Sequence, residues 1–349
     1  MGLPDRIRVL LEEGLAARLY SGAVAAVLTP FYGSTTVAVG THAYGDEKPV
    51  TVESLFDLAS VSKVVVATAI ISLVEGGLID PDEPVIEHLA VGSGPGAELI
   101  TLRQLLTHTA GLPSDSFVWK DARMNEQQRM EAVLASPLQC QPDETFRYSC
   151  LGYIAAGKLA EAVSGMSLER LVTERVAVPL GLQAMTFGPV SVDRAVATED
   201  ESYVGRGMVR GEVHDELSWS LGGKVGNAGL FARASDLLTF AQLFLQDGRA
   251  GNSTVLHEEG LHLMTRSTLG AHHSAAFGHG MGLRIADRSF MGETNGMGHT
   301  GFTGTMMVID EKRQTAAVLL TNRVHPNRDL VELNPLRLKF NTLIAAAAS

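Results

Sequence analysis

The sequence predicts an α+β fold: a mainly antiparallel sheet flanked by terminal helices, with an all-helical lobe inserted into it. Three observations carry this expectation. Strand-like runs lie near both ends of the chain, helical periodicity fills the middle, and each terminus reads as a helix.

The elements follow in order. The opening MGLPDRIRVLLEEGLAARLYSG is an amphipathic helix, and GAVAAVLTPFYGSTTVAVGTHAYG is a hairpin around a Pro-Phe-Tyr-Gly turn. An extended piece, VTVESLFDLA, leads to Ser60. From Ser62 to Glu75 the chain is apolar almost all round and stops at Gly76-Gly77, as a buried helix would. Residues 78 to about 185 read as helices joined by polar turns, among them a capping box from Thr101 to Gln104 that opens TLRQLLTH. MNEQQRMEAVLASPL and LGYIAAGKLAEAVSG are amphipathic at helical spacing, 186–230 is loop-rich, and ASDLLTFAQLFLQDG is again a helix. Three strand-like runs follow: FGHGMGLRIA, GFTGTMMVID and TAAVLLTNRV. The last two should pair antiparallel across the turn Glu311–Gln314. DLVELNPLRLKFNTLIAAAA closes the chain as a helix.

At 349 residues the chain exceeds the size at which one core stops growing, roughly 250–300 residues. The expected organisation is a single two-lobed catalytic domain over 1–349. Its α/β lobe takes 1–60 and 230–349; its mostly helical lobe and cleft loops take 61–229. The net charge of −11 and the lack of any Lys/Arg-rich run argue against nucleic acid as a partner. No apolar stretch is long enough to span a membrane. The first residues lack the order of a signal peptide, and Arg6 stands where a myristoylation motif needs Ser or Thr. The chain as it stands reads as cytoplasmic, and as periplasmic or secreted if a leader was removed. Cys140 and Cys150 are expected to be reduced. Nothing in the sequence sets the oligomeric state.

Three motifs carry chemistry. In Ser60-Val-Ser-Lys63 the serine and lysine stand three residues apart, one face of a helix, so an amine can reach the hydroxyl it must activate. The serine also opens a long helix, whose free N–H groups and dipole favour negative charge. Second is Phe146-Arg-Tyr148-Ser-Cys150, ahead of a helix; a tyrosine there is, in isolation, a packing residue. Third is Gly298-His-Thr-Gly301-Phe-Thr-Gly-Thr305, a glycine-dense strand start that lets another group approach the backbone closely.

Taken in this order, the three motifs resemble those of the serine β-lactamases and penicillin-binding proteins. The surroundings FDLASVSK, LLTHTAGLP, FRYSCLGY, VHDELSWSLGGKVGNAGLF, GHTGFTGT and LLTNRVHP resemble the class C branch, over roughly residues 20–326. The resemblance implies a β-lactamase/transpeptidase-like fold and a serine acyl-enzyme. Ser60 would be the nucleophile, Lys63 its neighbouring base and Tyr148 a second proton shuttle. The N–H groups of Ser60 and Phe302 would form the oxyanion hole. His299, Thr300 and Gly301 would line the substrate cleft, with Cys150 beside them. Two positions depart from the common pattern. Cys150 stands where many relatives have Asn, and a thiol holds a substrate amide poorly. His299 stands where β-lactamases usually have Lys.

Other readings are weaker. His257 and His262 are spaced by five, about 140° apart on a helix, so they form no zincin motif. His272-His273 lacks a third ligand nearby in sequence, and His108 reads as a structural histidine. Gly223-Lys-Val-Gly226-Asn-Ala-Gly229 matches no phosphate-loop spacing, and no GxSxG elbow is present. Neither metal nor organic cofactor is expected. The expected activity is hydrolysis of a small ester or a D-amino-acid amide or peptide. Weak β-lactamase or D-alanyl-D-alanine carboxypeptidase activity is the alternative, and a non-catalytic scaffold is the rival from another class. Cys150 and His299 tilt the reading toward esterase or peptidase, with a small-molecule ester, amide or β-lactam as partner.

Overall fold

A computed structural model describes residues 1–251, 253–329 and 332–348. Its centre is a seven-stranded antiparallel sheet drawn from both ends of the chain. The strands are β1 (Gly22–Thr29), β2 (Gly33–Gly40), β3 (Gly278–His279), β4 (Arg284–Ile285), β5 (Met297–Thr300), β6 (Met306–Asp310) and β7 (Thr315–Thr321). They lie in the order β2-β1-β7-β6-β5-β4-β3. The strand from the N-terminal hairpin thus pairs with the last strand of the chain, with Ala26 opposite Val318.

Both faces of this sheet are covered, which explains the unbroken apolar runs of β1 and β7. Successive side chains point to opposite faces. Val24 and Ala26 of β1 join Ala316, Val318 and Leu320 of β7 in the larger core. That core also holds α2 (Ser62–Glu75), α3 (Cys150–Ser164) and α4 (Ala234–Leu245). The intervening residues Ala23, Ala25, Val27, Ala317 and Leu319 face a second core, built with α1 (Leu3–Ala16) and α5 (Asn334–Ala347). The chain is therefore a mixed fold with a large antiparallel sheet between terminal and internal helices.

Several local expectations can be read against this structure. The apolar segment from Ser62 to Glu75 is a helix buried along nearly its whole length. Thr101 caps the short helix Leu102–Leu106, its hydroxyl accepting from the Gln104 backbone N–H while the Gln104 side-chain oxygen Oε1 accepts the Thr101 N–H. The expected strand FGHGMGLRIA divides into β3 and β4, because Gly282 adopts φ +117° and turns the chain between them. In GFTGTMMVID, residues 301–305 form a turn and pairing starts at Met306. The closing helix starts at Asn334, and residues 330 and 331 of its expected first turn lie outside the described residues.

Candidate active site

Ser60 sits in a single tight turn, Ala59–Val61, just ahead of α2. A short strand, Phe56–Asp57, delivers the chain to it and pairs with Leu230–Ala232. The buried Asp57 carboxylate shapes the turn: one oxygen accepts the Ala59 N–H at 2.8 Å, the other the His214 N–H at 2.7 Å. Ala59 is held at φ +45°, a conformation L residues rarely adopt. Two hydroxyls follow, and their surroundings separate them. Ser62 is fully buried and its oxygen accepts the Leu230 N–H at 3.2 Å, so it holds structure. Ser60 opens onto cavities on either side.

One helical turn after Ser60, the fully buried Lys63 donates to Ser60 Oγ at 3.0 Å, to the Asn227 carbonyl at 2.8 Å and to Cys150 Sγ at 3.7 Å. Three acceptors give the three ammonium protons a full complement of hydrogen bonds. Burial works against this charge. The neighbouring Cys150, Tyr148 and Asp215 outweigh it and raise the lysine above its ordinary range. The Asn227 carbonyl reaches Lys63 because Gly226 packs directly on the Tyr153 carbonyl, where any Cβ would collide.

Tyr148 lies two residues before α3, whose N-cap is Ser149; the Ser149 hydroxyl accepts the Gly152 N–H at 3.1 Å. The Tyr148 hydroxyl stands 2.8 Å from Ser60 Oγ. Two cations stack on its ring: Lys63 Nζ is 5.1 Å and the Arg284 guanidinium carbon 5.5 Å from the centroid. The expected trio therefore meets at one oxygen. Cys150 adjoins it as a free thiol, which burial pushes up to about 11, so it is uncharged near neutrality.

The third motif closes the site from β5. The Thr303 and Thr305 hydroxyls donate at 2.8 Å to the carbonyls of Asp57 and Leu58, tying the turn 301–305 to the residues ahead of Ser60. Gly301 is required there, since a Cβ would strike Thr305 Oγ1 and the Leu58 carbonyl. Among the described residues the N–H groups of Ser60 and Phe302 have no protein acceptor. Thr300 lines the cavity, and the Phe302 ring is about half exposed beneath Arg323.

His299, at the position where β-lactamases usually have Lys, brings no positive charge to the site. It is buried, its Nδ1–H donates to the Thr300 carbonyl, and burial together with Arg284 and Lys63 holds it far below the usual histidine range. It is neutral throughout the physiological range. The positive charge comes from residues the sequence reading did not single out. A cavity of about 640 Å³ runs from Ser60 past His299 and Thr300, lined by Arg284, Arg323, Arg328 and Arg337 as well as Asp329 and Glu332. Arg337 lies on the buried stripe of α5, donating to Asn334 and to the carbonyls of Gly301 and Thr305; burial brings it down to about 9. A smaller cavity of about 200 Å³ on the Cys150 side of Ser60 carries Asp115, Asp215 and Glu216. An arginine on the apolar face of a helix was a readable signal. Arg284, in a glycine-rich run, gave none.

Among the described residues, two groupings resemble metal sites. Asp143 supplies the third group beside His272 and His273 that the sequence did not bring near, but both ring nitrogens of His273 are used, one by the Gly270 N–H and one by Asp143. Glu199, Glu201 and His214 cluster in the interior, with Arg328 and Arg206 neutralising the carboxylates.

Residues 9–342 match the family model Beta-lactamase. The chain belongs to the β-lactamase family. This β-lactamase-family protein is a serine hydrolase by that membership, and it shares 30% identity over 316 residues with a protein named putative D-alanyl-D-alanine carboxypeptidase from Escherichia coli K12, covering 80% of this chain and 72% of the relative. Among solved structures it is similar to EstCE1, described as a hydrolase with promiscuous acyltransferase activity, with a TM-score of 0.79, 21% identity and 98% of each chain covered. It is also similar to the D-amino acid amidase of Ochrobactrum anthropi SV3, with a TM-score of 0.77, 22% identity, and 99% of this chain and 98% of the other covered. Among the described residues no helix is long and apolar enough to cross a membrane.

Proposed function

We propose that this β-lactamase-family hydrolase cleaves short D-amino-acid peptides or amides through an ester on Ser60, and prefers a substrate bearing a free carboxylate. The observation that carries this reading is the pairing of a Ser60–Lys63–Tyr148 cluster with the arginine-lined cavity beside it. Ser60 Oγ attacks the carbonyl carbon and its proton passes to the Tyr148 oxygen, which enters the step as the phenolate, while the Lys63 ammonium stabilises the negative charge as it moves between the two oxygens. The N–H groups of Ser60 and Phe302 receive the oxyanion. The proton on Tyr148 then goes to the leaving amine, and water releases the acid in the reverse sequence. Arg284 and Arg337 meet the substrate carboxylate, as planar guanidinium groups do well. The relatives named carboxypeptidase and amidase support the same substrate class.

The test is a matched pair: one D-amino-acid peptide with a free carboxylate and the same peptide as its methyl ester. The free acid is expected to have a kcat/KM about 10-fold or more above that of the ester, the worth of one charge-assisted hydrogen bond. Equal turnover would reject the carboxylate preference. Cys150 favours a second reading, turnover of simple esters, because it offers no amide to grip a substrate peptide group.

A further inference from the structure

His108 brackets Tyr148. Its carbonyl accepts the N–H of Arg147 at 2.8 Å, and its Nδ1 accepts the N–H of Ser149 at 3.0 Å. Between these contacts its ring packs on the ring of Tyr148, with centroids 4.4 Å apart. One residue thus holds the backbone N–H of each neighbour of Tyr148 and the ring itself. To do so, His108 takes φ +62°, in the left-handed region that side chains other than glycine and asparagine seldom occupy.

The ring is also fixed chemically. A nitrogen that accepts from a backbone N–H carries no proton, so the neutral ring keeps its proton on Nε2. Burial, with His279 and Lys63 close by, holds His108 far below the usual histidine range, so the accepting form persists. The Nε2–H is buried with no partner among the described residues, which marks the Nδ1 contact as the polar interaction of this ring.

We propose that His108 is a positioning residue for the reaction, holding the Tyr148 oxygen against Ser60 through the Arg147 and Ser149 amides and the stacked ring. The proposal rests on the role given to Tyr148 above. Tyr148 is aimed from a loop just outside α3, and a displacement near 1 Å of a reacting group costs on the order of 10²-fold in rate.

Three variants test it through the burst of p-nitrophenol released from p-nitrophenyl acetate, which reads acylation. His108→Phe keeps a ring and removes the acceptor. His108→Asn removes the ring, restores an acceptor and tolerates left-handed backbone. The third is His108→Phe combined with Tyr148→Phe. His108→Phe is expected to slow acylation about 10- to 100-fold with the dissociation constant of the substrate nearly unchanged. His108→Asn should recover most of that loss, and in the Tyr148→Phe background the second change should cost nothing further. Unimpaired acylation in His108→Phe, or the same loss with and without Tyr148, would overturn the proposal. If His108→Phe does not fold, His108→Gln, whose longer side chain misplaces the acceptor, takes its place with the same expectations. Should Tyr148→Phe alone acylate normally, the role of Tyr148 fails and this proposal with it, an outcome distinct from failure of His108 alone.

Discussion

The guanidinium of Arg284 lies over the ring of Tyr148, its central carbon 5.5 Å from the centroid, while one of its nitrogens donates to Asp287 at 3.0 Å. A fixed cation therefore lines the arginine-rich cavity together with the tyrosine that touches Ser60. It supplies the charge that a neutral His299 does not. Arg284→Ala is expected to lower kcat/KM for a carboxylate-bearing peptide about 10- to 100-fold and to remove most of its advantage over the methyl ester. Kinetics on the matched pair check this, and an unchanged ratio would rule out Arg284 as the carboxylate partner.

Lys63 and Tyr148 are expected to fail separately. Lys63→Ala and Tyr148→Phe should each cost at least about 10²-fold in kcat/KM, the usual scale of lost proton handling. The lysine is held above its ordinary range, so its charge is complete at neutral pH and is lost only as pH rises past that range. No fall in kcat/KM is expected between pH 7 and about 9 on account of Lys63. A descending limb in that interval that Lys63→Ala abolished would show a neutral lysine acting as the base.

Much of this architecture was legible. The Ser-x-x-Lys spacing puts Lys63 and Ser60 on one helical face, and they meet at 3.0 Å for that reason. The N-terminal hairpin and the all-round apolar helix α2 were equally plain in the sequence. Charge placement was harder to read. Whether His299 is charged depends on its burial and on Arg284 and Lys63, which come from other segments. The cavity arginines come from β4, the chain after β7, and α5, and no local pattern predicts their convergence. Asp143 beside His272 and His273 is a tertiary meeting of the same kind.

Buried neutral histidines should make the protein acid-sensitive. Burial holds His279 at about 4 in the fold, against 6.5 for an ordinary histidine. The unfolded chain therefore binds the proton first, and stability falls as pH drops from about 6.5 toward 4. By this linkage His279 accounts for about 2 to 3 kcal/mol of the loss between pH 7 and 4.5. Urea melts of the wild type and His279→Gln at both pH values check it: the pH-dependent difference should shrink by that amount. An identical pH dependence in the two proteins would refute it.

Cys150 governs the balance between amide and ester substrates. Cys150→Asn restores an amide group next to Lys63, and one hydrogen bond of about 1 kcal/mol raises turnover of a D-amino-acid p-nitroanilide roughly five-fold relative to the matched p-nitrophenyl ester. The ratio of the two kcat/KM values is the measurement. A ratio that stays constant or moves toward the ester would deny this position any part in holding the substrate amide.

The central claim is that Ser60 carries the acyl group. Its most direct test is intact-mass and peptide mapping after treatment with a fluorophosphonate, which traps an activated serine as a stable adduct. The account predicts one adduct per chain, on Ser60, and none in Ser60→Ala. Labelling at Ser62, whose oxygen is bound to the Leu230 amide in the interior, or labelling that persists in Ser60→Ala, would contradict it.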